Sequence, residues 1–413
     1  MLAALSLNGG STPTHALLAG SPAIDAGDAL GNFTDQRGYQ RPVDNPAAPP
    51  APGGDNSDVG SFESGHFPAL VVTKTEDTND GECDEDCSLR EAIAAASARG
   101  NEIVFSSLFD TPQTITLSDA AGFRELSISD KSLSIAGKGA QLLTIRRDPA
   151  SSANFSIFNI RRVSAANVGV SLSGMKITGG FSATAAGGIN VSGGALTLIA
   201  CHVTSNSNGV GNGDAGGIAA NSSASLTVLN STISNNTVLN NGAVDSAGGI
   251  NFYGNQFIMM NSTVSGNVVS GNDGSGNSGG LLLSPVSGTV SNSTITDNQA
   301  NGTNTAGGVI GSSNATARNT IIAGNRNNST VPDVRGAFTS GGFNLVGSPA
   351  GNNFVDGVNN DRVGTLSSPL NPLLDALGNY GGATPTHRLQ TNSPAIDKGY
   401  SFDSTTDQRG SPL

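Results

Sequence analysis

Through the middle of the chain, apolar residues alternate with small polar ones in short phrases that recur. Leu196/Leu198, Leu226/Val228 and Phe257/Met259 are the clearest, with Val290 weaker, Val170/Leu172 before them and Ala317 after them. A period of two places these side chains on one face of a strand. Each phrase from Leu196 onward is preceded by two glycines and an apolar residue: Gly187-Gly188-Ile189, Gly216-Gly217-Ile218, Gly248-Gly249-Ile250, Gly279-Gly280-Leu281 and Gly307-Gly308-Val309. A second phrase in each copy ends in asparagine, at Asn206, Asn236, Asn267, Asn298 and Asn325. Both phrases return with a period of about 30 residues, and a fixed period of this length is the signature of a solenoid.

Residue types select which solenoid. The chain has no Glu after Glu125, and the repeats are made of Gly, Ser, Thr, Asn and Val. That composition forms helices poorly and suits short strands with tight turns. The expected fold is therefore all-β, a right-handed parallel β-helix whose inward residues stack coil on coil, no coil being stable alone. The five asparagines are expected to stack as a ladder at one bend, each amide bonding the next coil.

The Gly-Gly-apolar and terminal-Asn phrases resemble the repeats of bacterial polymorphic outer-membrane proteins, and the architecture resembles that of pectate-lyase-like β-helices. Two further stretches carry resemblances of their own. Cys87-Ser88-Leu89-Arg90-Glu91-Ala92 resembles, at all six positions, the phrase that names the CSLREA domain. Its physics can be read directly. Ser88 with Glu91 three residues on is a capping box. Leu89, Ala92, Ile93 and Ala96 form one apolar stripe, and Gly100 is expected to end the helix. Such a helix suits the N-terminal end of a β-helix, where it covers an open strand edge.

The second stretch occurs twice. Gly9-Gly10-Ser11-Thr12-Pro13-Thr14-His15, Ser21-Pro22-Ala23-Ile24-Asp25 and Asp35-Gln36-Arg37-Gly38 return as Gly381 to His387, Ser393 to Asp397 and Asp407 to Gly410, always at the offset that separates Gly9 from Gly381. The first copy continues into Arg41-Pro42 and Asp58-Val59-Gly60-Ser61-Phe62-Glu63. It resembles the choice-of-anchor Q segment of bacterial surface proteins. The division expected is an anchor-like segment of a preceding unit with its linker over 1–64, a CSLREA cap over 69–100, coils over 101–330, and a C-terminal cap with the second anchor copy over 331–413. Asn45 to Asp58, rich in Pro, Ala and Gly, reads as linker. A constant offset without insertion points to a window on a tandem array, so adjacent repeat units are the first partners expected.

Composition narrows the function. Gly is 56 of 413 residues, charged residues are 13% and Trp is absent, so the core is built by stacking. A net charge of −12 with no Lys/Arg cluster argues against nucleic acid. No apolar run is long enough to span a membrane. Met1 to Leu7 lacks the features of a signal peptide, so a signal peptide and anchor are expected outside this segment.

Candidate chemistry is sparse. Three cysteines favour a local disulfide between Cys83 and Cys87 over a zinc site, with Cys201 left as a buried thiol. The loop carrying Asp77, Asp80, Glu82, Asp84 and Asp86 is either a solvated acidic loop or a calcium site, calcium being the one cofactor the composition suggests. His15 and His387, duplicated in the same phrase, read as structural contacts, and the sequons at Asn230, Asn261 and Asn292 as products of the asparagine ladder and its neighbouring Ser/Thr, not as glycan sites. A glycosidase needs two carboxyls close together. The coils offer only Asp214, Asp245, Asp273 and Asp297, with Lys176, Arg318 and Arg326 as cations. The expectation is a non-enzymatic, secreted or cell-surface bacterial stalk or adhesin, with a surface polysaccharide or a host or neighbour-cell ligand as partner. A polysaccharide-binding or polysaccharide-cleaving β-helix is the second reading.

Overall fold

The computed structural model describes the chain except for residues 7, 9–11, 19, 46–47, 66–68, 97–100, 120–121, 165–167, 210–214, 240–244, 272–275, 303, 327–331, 351–353, 401, 403 and 413, and the side chain of residue 101. It is an all-β parallel solenoid, and the described residues contain one α-helix, Leu89–Ala95. Three parallel sheets run along it, two of them 10-stranded and 5-stranded, and the largest 17-stranded.

The register follows the alternation. Leu196 pairs with Val170 on one side and Leu226 on the other, and Leu226 pairs with Phe257. A parallel row runs from Leu172 through Leu198, Val228, Met259, Val290 and Ala317. All of these residues are buried. The 10-stranded sheet carries one inward column from end to end: Ile115, Ile145, Ile177, Val203, Ile233, Val264, Ile295, Ile322, Val346 and Val363. Every member is β-branched, the side-chain type that fits a pleated, packed surface best.

The paired glycines answer a lack of space. A Cβ on Gly249 would lie 2.6 Å from the carbonyl oxygen of Gly280 in the next coil, and one on Gly248 would lie 2.5 Å from both Gly279 O and Val268 N. Only a residue without a side chain passes there, so the motif must return once per coil.

Opposite those glycines the asparagines stack. Asn206 donates its backbone N–H and its Nδ2 to Asn236 Oδ1, at 3.1 and 3.0 Å. Asn236 does the same to Asn267, Asn267 to Asn298, and Asn298 to Asn325, all at 2.9–3.1 Å. The other Nδ2 hydrogen of Asn236 reaches Val203 O of the preceding coil at 3.0 Å. These amides are buried yet satisfied, the condition under which burying them is tolerable. The residue before each is left-handed: Ser205, Asn235, Gly266, Asp297 and Gly324 have φ between 53° and 77°.

A second column stands at another bend, and the sequons at Asn230, Asn261 and Asn292 belong to it and not, as expected, to the asparagine ladder, because its stacked acceptors are serine hydroxyls. Ser231, Ser262 and Ser293 each accept a backbone N–H from the coil before, at 3.0–3.2 Å, the first of these from Cys201. The bend residues just ahead, Asn230, Asn261 and Asn292, are left-handed with φ of 48–49°. Asn and Gly adopt that conformation most readily, which accounts for the recurring Asn-x-Ser/Thr.

The helix begins as its residues suggest. Ser88 Oγ accepts Glu91 N at 3.1 Å and Glu91 Oε2 accepts Ser88 N at 2.6 Å. Leu89, Ala92, Ile93 and Ala96 are buried in the solenoid's core. Its end corrects the expectation: the helix stops at Ala95, and Ala96 already has ψ of 127°. Lys131 Nζ donates to Ile93 O and Ala94 O, at 2.9 and 2.8 Å. A cation from the turn between the strands Leu126–Ser129 and Leu133–Ala136 thus satisfies the last carbonyls where a glycine turn was expected. Gly100 lies outside the described residues.

The two copies of the anchor-like segment share one local structure. Thr14 N bonds Ser6 O at 2.9 Å, and Thr386 N bonds Gly378 O at 2.9 Å. His15 Nδ1 meets Ala3 O at 2.8 Å, and His387 Nδ1 meets Asp375 O at 2.7 Å. Arg37 Nε bonds Asp35 and Arg409 Nε bonds Asp407, both at 2.8 Å. The left-handed residues also coincide: φ is 54° at Asp25 and 56° at Asp397, 50° at Leu30 and 49° at Phe402. The stretch read as linker is tied to the first copy, with Ala51 N on Asp25 O at 3.1 Å and Gly27 N on Ser57 O at 2.7 Å.

Candidate functional site

The acidic loop and the helix form one knot. Cys83 and Cys87 are joined as a disulfide. Glu91 closes the helix cap with one oxygen, and with Oε1 it accepts Thr78 Oγ1 and Asp80 N at 3.0 and 3.2 Å. Burial works against its charge, but the amides of Ser88 and Asp80 hold its carboxyl below the ordinary carboxylate range. Arg90 reaches outward, with Nε and Nη2 on the two oxygens of Asp77 at 2.7 and 3.0 Å, and on to Arg124 O and Glu125 O in the coil. Every residue of the Cys87–Ala92 phrase thus has a local task.

The five acids read as a candidate calcium site do not converge. Asp77 belongs to Arg90. Asp86 pairs with Lys74 Nζ at 2.9 Å. Asp80 Oδ1 accepts Glu82 N and Asp84 Oδ1 accepts Asp86 N, each closing a local turn. Among the described residues no three His, Cys, Asp or Glu side chains are grouped to hold a metal ion. Beside the knot lies a cleft of about 310 Å³ lined by Arg90, Ile93, Phe123, Arg124 and Lys131. Two of its three cations are committed, Arg90 to Asp77 and Lys131 to the helix carbonyls.

Along the coils, Asp214 and Asp273 lie outside the described residues. Asp245 O accepts Asn251 Nδ2 at 2.9 Å. Asp297 occupies a left-handed bend and faces Arg326 across one coil at 3.4 Å, both exposed. Cys201 stands at the head of the serine column, and burial pushes its thiol up to about 12. A thiol so poorly ionised is no nucleophile. His202 donates to or accepts from Ser234 Oγ at 2.9 Å, and burial together with the nearby Lys176 lowers its pKa to about 4.

A further constellation of polar side chains is the seat of the second copy on the 10-stranded sheet. Thr384 Oγ1 donates to Asn230 O at 3.0 Å. Gln408 Nε2 donates to Thr232 Oγ1 at 2.9 Å, and its Oε1 accepts Thr263 Oγ1 at 2.7 Å. His387 gives its Nδ1 proton to Asp375 O, which leaves Nε2 to accept from Ser265 Oγ at 2.8 Å. Phe402 and Tyr400 pack on Phe343, and Arg318 lies 4.9 Å over the Phe402 ring. Sequence reasoning had the duplicated His but not its target, since the target residues are ordinary outward-facing Thr and Ser.

Fold and site together define a parallel β-solenoid with a polar segment strapped along one face. No family model matches the chain, and no curated protein does. Among solved structures, ORF18 of Geobacillus virus E2 aligns at 14% identity over 71% of this chain, with a TM-score of 0.25. The chain spans 59% of that protein's length, and so loose a superposition carries no argument. No helix among the described residues is long and apolar enough to cross a membrane.

Proposed function

We propose that this chain is a non-enzymatic, exported bacterial surface protein, a stalk or adhesin module from a tandem array whose units repeat at the spacing between Gly9 and Gly381. One observation carries the reading: the two segments related by that spacing share the hydrogen bonds at Thr14/Thr386, His15/His387 and Arg37/Arg409 and the left-handed turns at Asp25/Asp397 and Leu30/Phe402. A repeated polar strap beside a solenoid suits a chain built by adding units lengthwise. In this reading the solenoid is a right-handed β-helix, and the Leu89–Ala95 helix covers its first edge. The likeness to CSLREA and choice-of-anchor Q proteins supports export and surface display, with a polysaccharide or a host or neighbour-cell ligand as partner.

The test is a glycan-array binding measurement paired with reducing-sugar release on the same polysaccharides, and immunolabelling of intact cells. Labelling at the surface, without sugar release, is the expected result. Release of reducing ends, or a protein confined to the cell interior, would remove the reading.

A further inference from the structure

We infer that the first copy, residues 2–38, is a docking module whose partner is the strand face of a second copy of this chain. The second copy of the segment shows how it seats. Thr384 and His387 are buried against the coil, and Gln408 and Phe402 are partly covered there. Their counterparts in the first copy are Thr12, His15, Gln36 and Leu30. All four are exposed, Leu30 at 86%.

The first copy is already shaped for the seat. Gln36 Nε2 bonds Thr12 Oγ1 at 2.9 Å, as Gln408 Nε2 bonds Thr384 Oγ1 at 2.9 Å. His15 is fixed through Nδ1 to Ala3 O, so its Nε2 is an acceptor in the same tautomer that meets Ser265 in the second copy. Leu30 is held left-handed and outward, at the place from which Phe402 packs on Phe343. A bulky apolar residue in a strained turn and in water is costly, and a seat on a coil would bury it. Because these groups are fixed before contact, little ordering entropy opposes docking. Thr14 is the exception: Asn8, standing where the second copy has Tyr380, bonds its hydroxyl. In a single chain the matching face is filled by residues 384–408, so the first copy takes that face on another molecule once it is vacated, an exchange of identical elements.

This contact names the partner that the tandem reading leaves open. Sugar release would remove that reading and leave the contact standing, whereas the outcome below removes the contact alone. The experiment uses the full chain carrying His387→Ala, Phe402→Ala and Gln408→Ala, which strips the seat. Hydrogen exchange at Tyr400, whose backbone N–H donates to Asn319 Oδ1 of the coil at 3.2 Å, reports whether the segment has left. Should it stay seated, the chain ended at Pro372 replaces the triple variant. Light scattering should give a weight-average mass that at least doubles with concentration, where the parent chain stays constant. Adding Leu30→Asp and Gln36→Ala should restore the constant mass. A vacated chain that stays monomeric, or association that survives Leu30→Asp and Gln36→Ala, overturns the proposal.

Discussion

Asn325 donates its backbone N–H and its Nδ2 to one oxygen of Asp333, at 2.7 and 2.9 Å, so a carboxylate closes the column of stacked amides. The other oxygen of Asp333 accepts Ser348 N at 2.8 Å. Asn344 repeats the geometry on Asp361 Oδ1, at 2.9 and 3.0 Å, near the end of the solenoid. A neutral amide needs a further acceptor beyond it, whereas a carboxylate accepts on both sides and ends the series.

That ending gives a pH dependence. Burial raises the Asp333 carboxyl from 3.8 to about 6 and the Glu63 carboxyl from 4.5 to about 7. The folded state therefore binds protons more tightly than the unfolded chain, and the stability this confers is present at acid pH and lost as pH rises through those values. Urea midpoints should fall between pH 4 and 7, and Asp333→Asn should flatten the portion below about pH 6.

Within the column, Asn267→Ala should destabilise by about 3 kcal/mol, because it leaves two donors of buried Asn236 without their acceptor. A lowered urea midpoint with unchanged slope is the expected record. A loss under about 1 kcal/mol would mean the amides contribute little once buried.

At the helix, Ile93→Asp should cost roughly 3 kcal/mol or more by placing an unpaired charge in the core. If the helix protects the first strand edge, the variant should also self-associate. Sedimentation of the variant beside the parent chain separates the two effects.

Thiol titration of unfolded, non-reduced protein should find one reactive cysteine, Cys201, with Cys83 and Cys87 joined. Three reactive thiols would contradict the knot described above.

What was legible in the sequence is what recurs. The Leu196–Leu226–Phe257 row, the glycine pairs and the asparagines repeat because each coil meets the next in the same way. The ends of the columns were not legible, because Asp333 and Asp361 lie where the coils have shortened and the period is lost. The partners within the acidic loop were not legible either: Arg90 and Lys74 stand 13 and 12 residues from Asp77 and Asp86, and spacing cannot assign them. The seat of His387 on Ser265 spans 122 residues and joins two common residue types, so no local pattern announces it.

The direction of the coil-to-coil hydrogen bonds has a mechanical consequence. In the strands and in both bend columns, each coil is bonded to the next along the axis, so a load applied from end to end pulls in line with those bonds. Such a structure opens from an end, coil after coil, and does not shear as a block. Each opened coil of about 30 residues releases roughly 100 Å of extended chain, which lets the molecule lengthen many times under tension while its remaining coils stay intact.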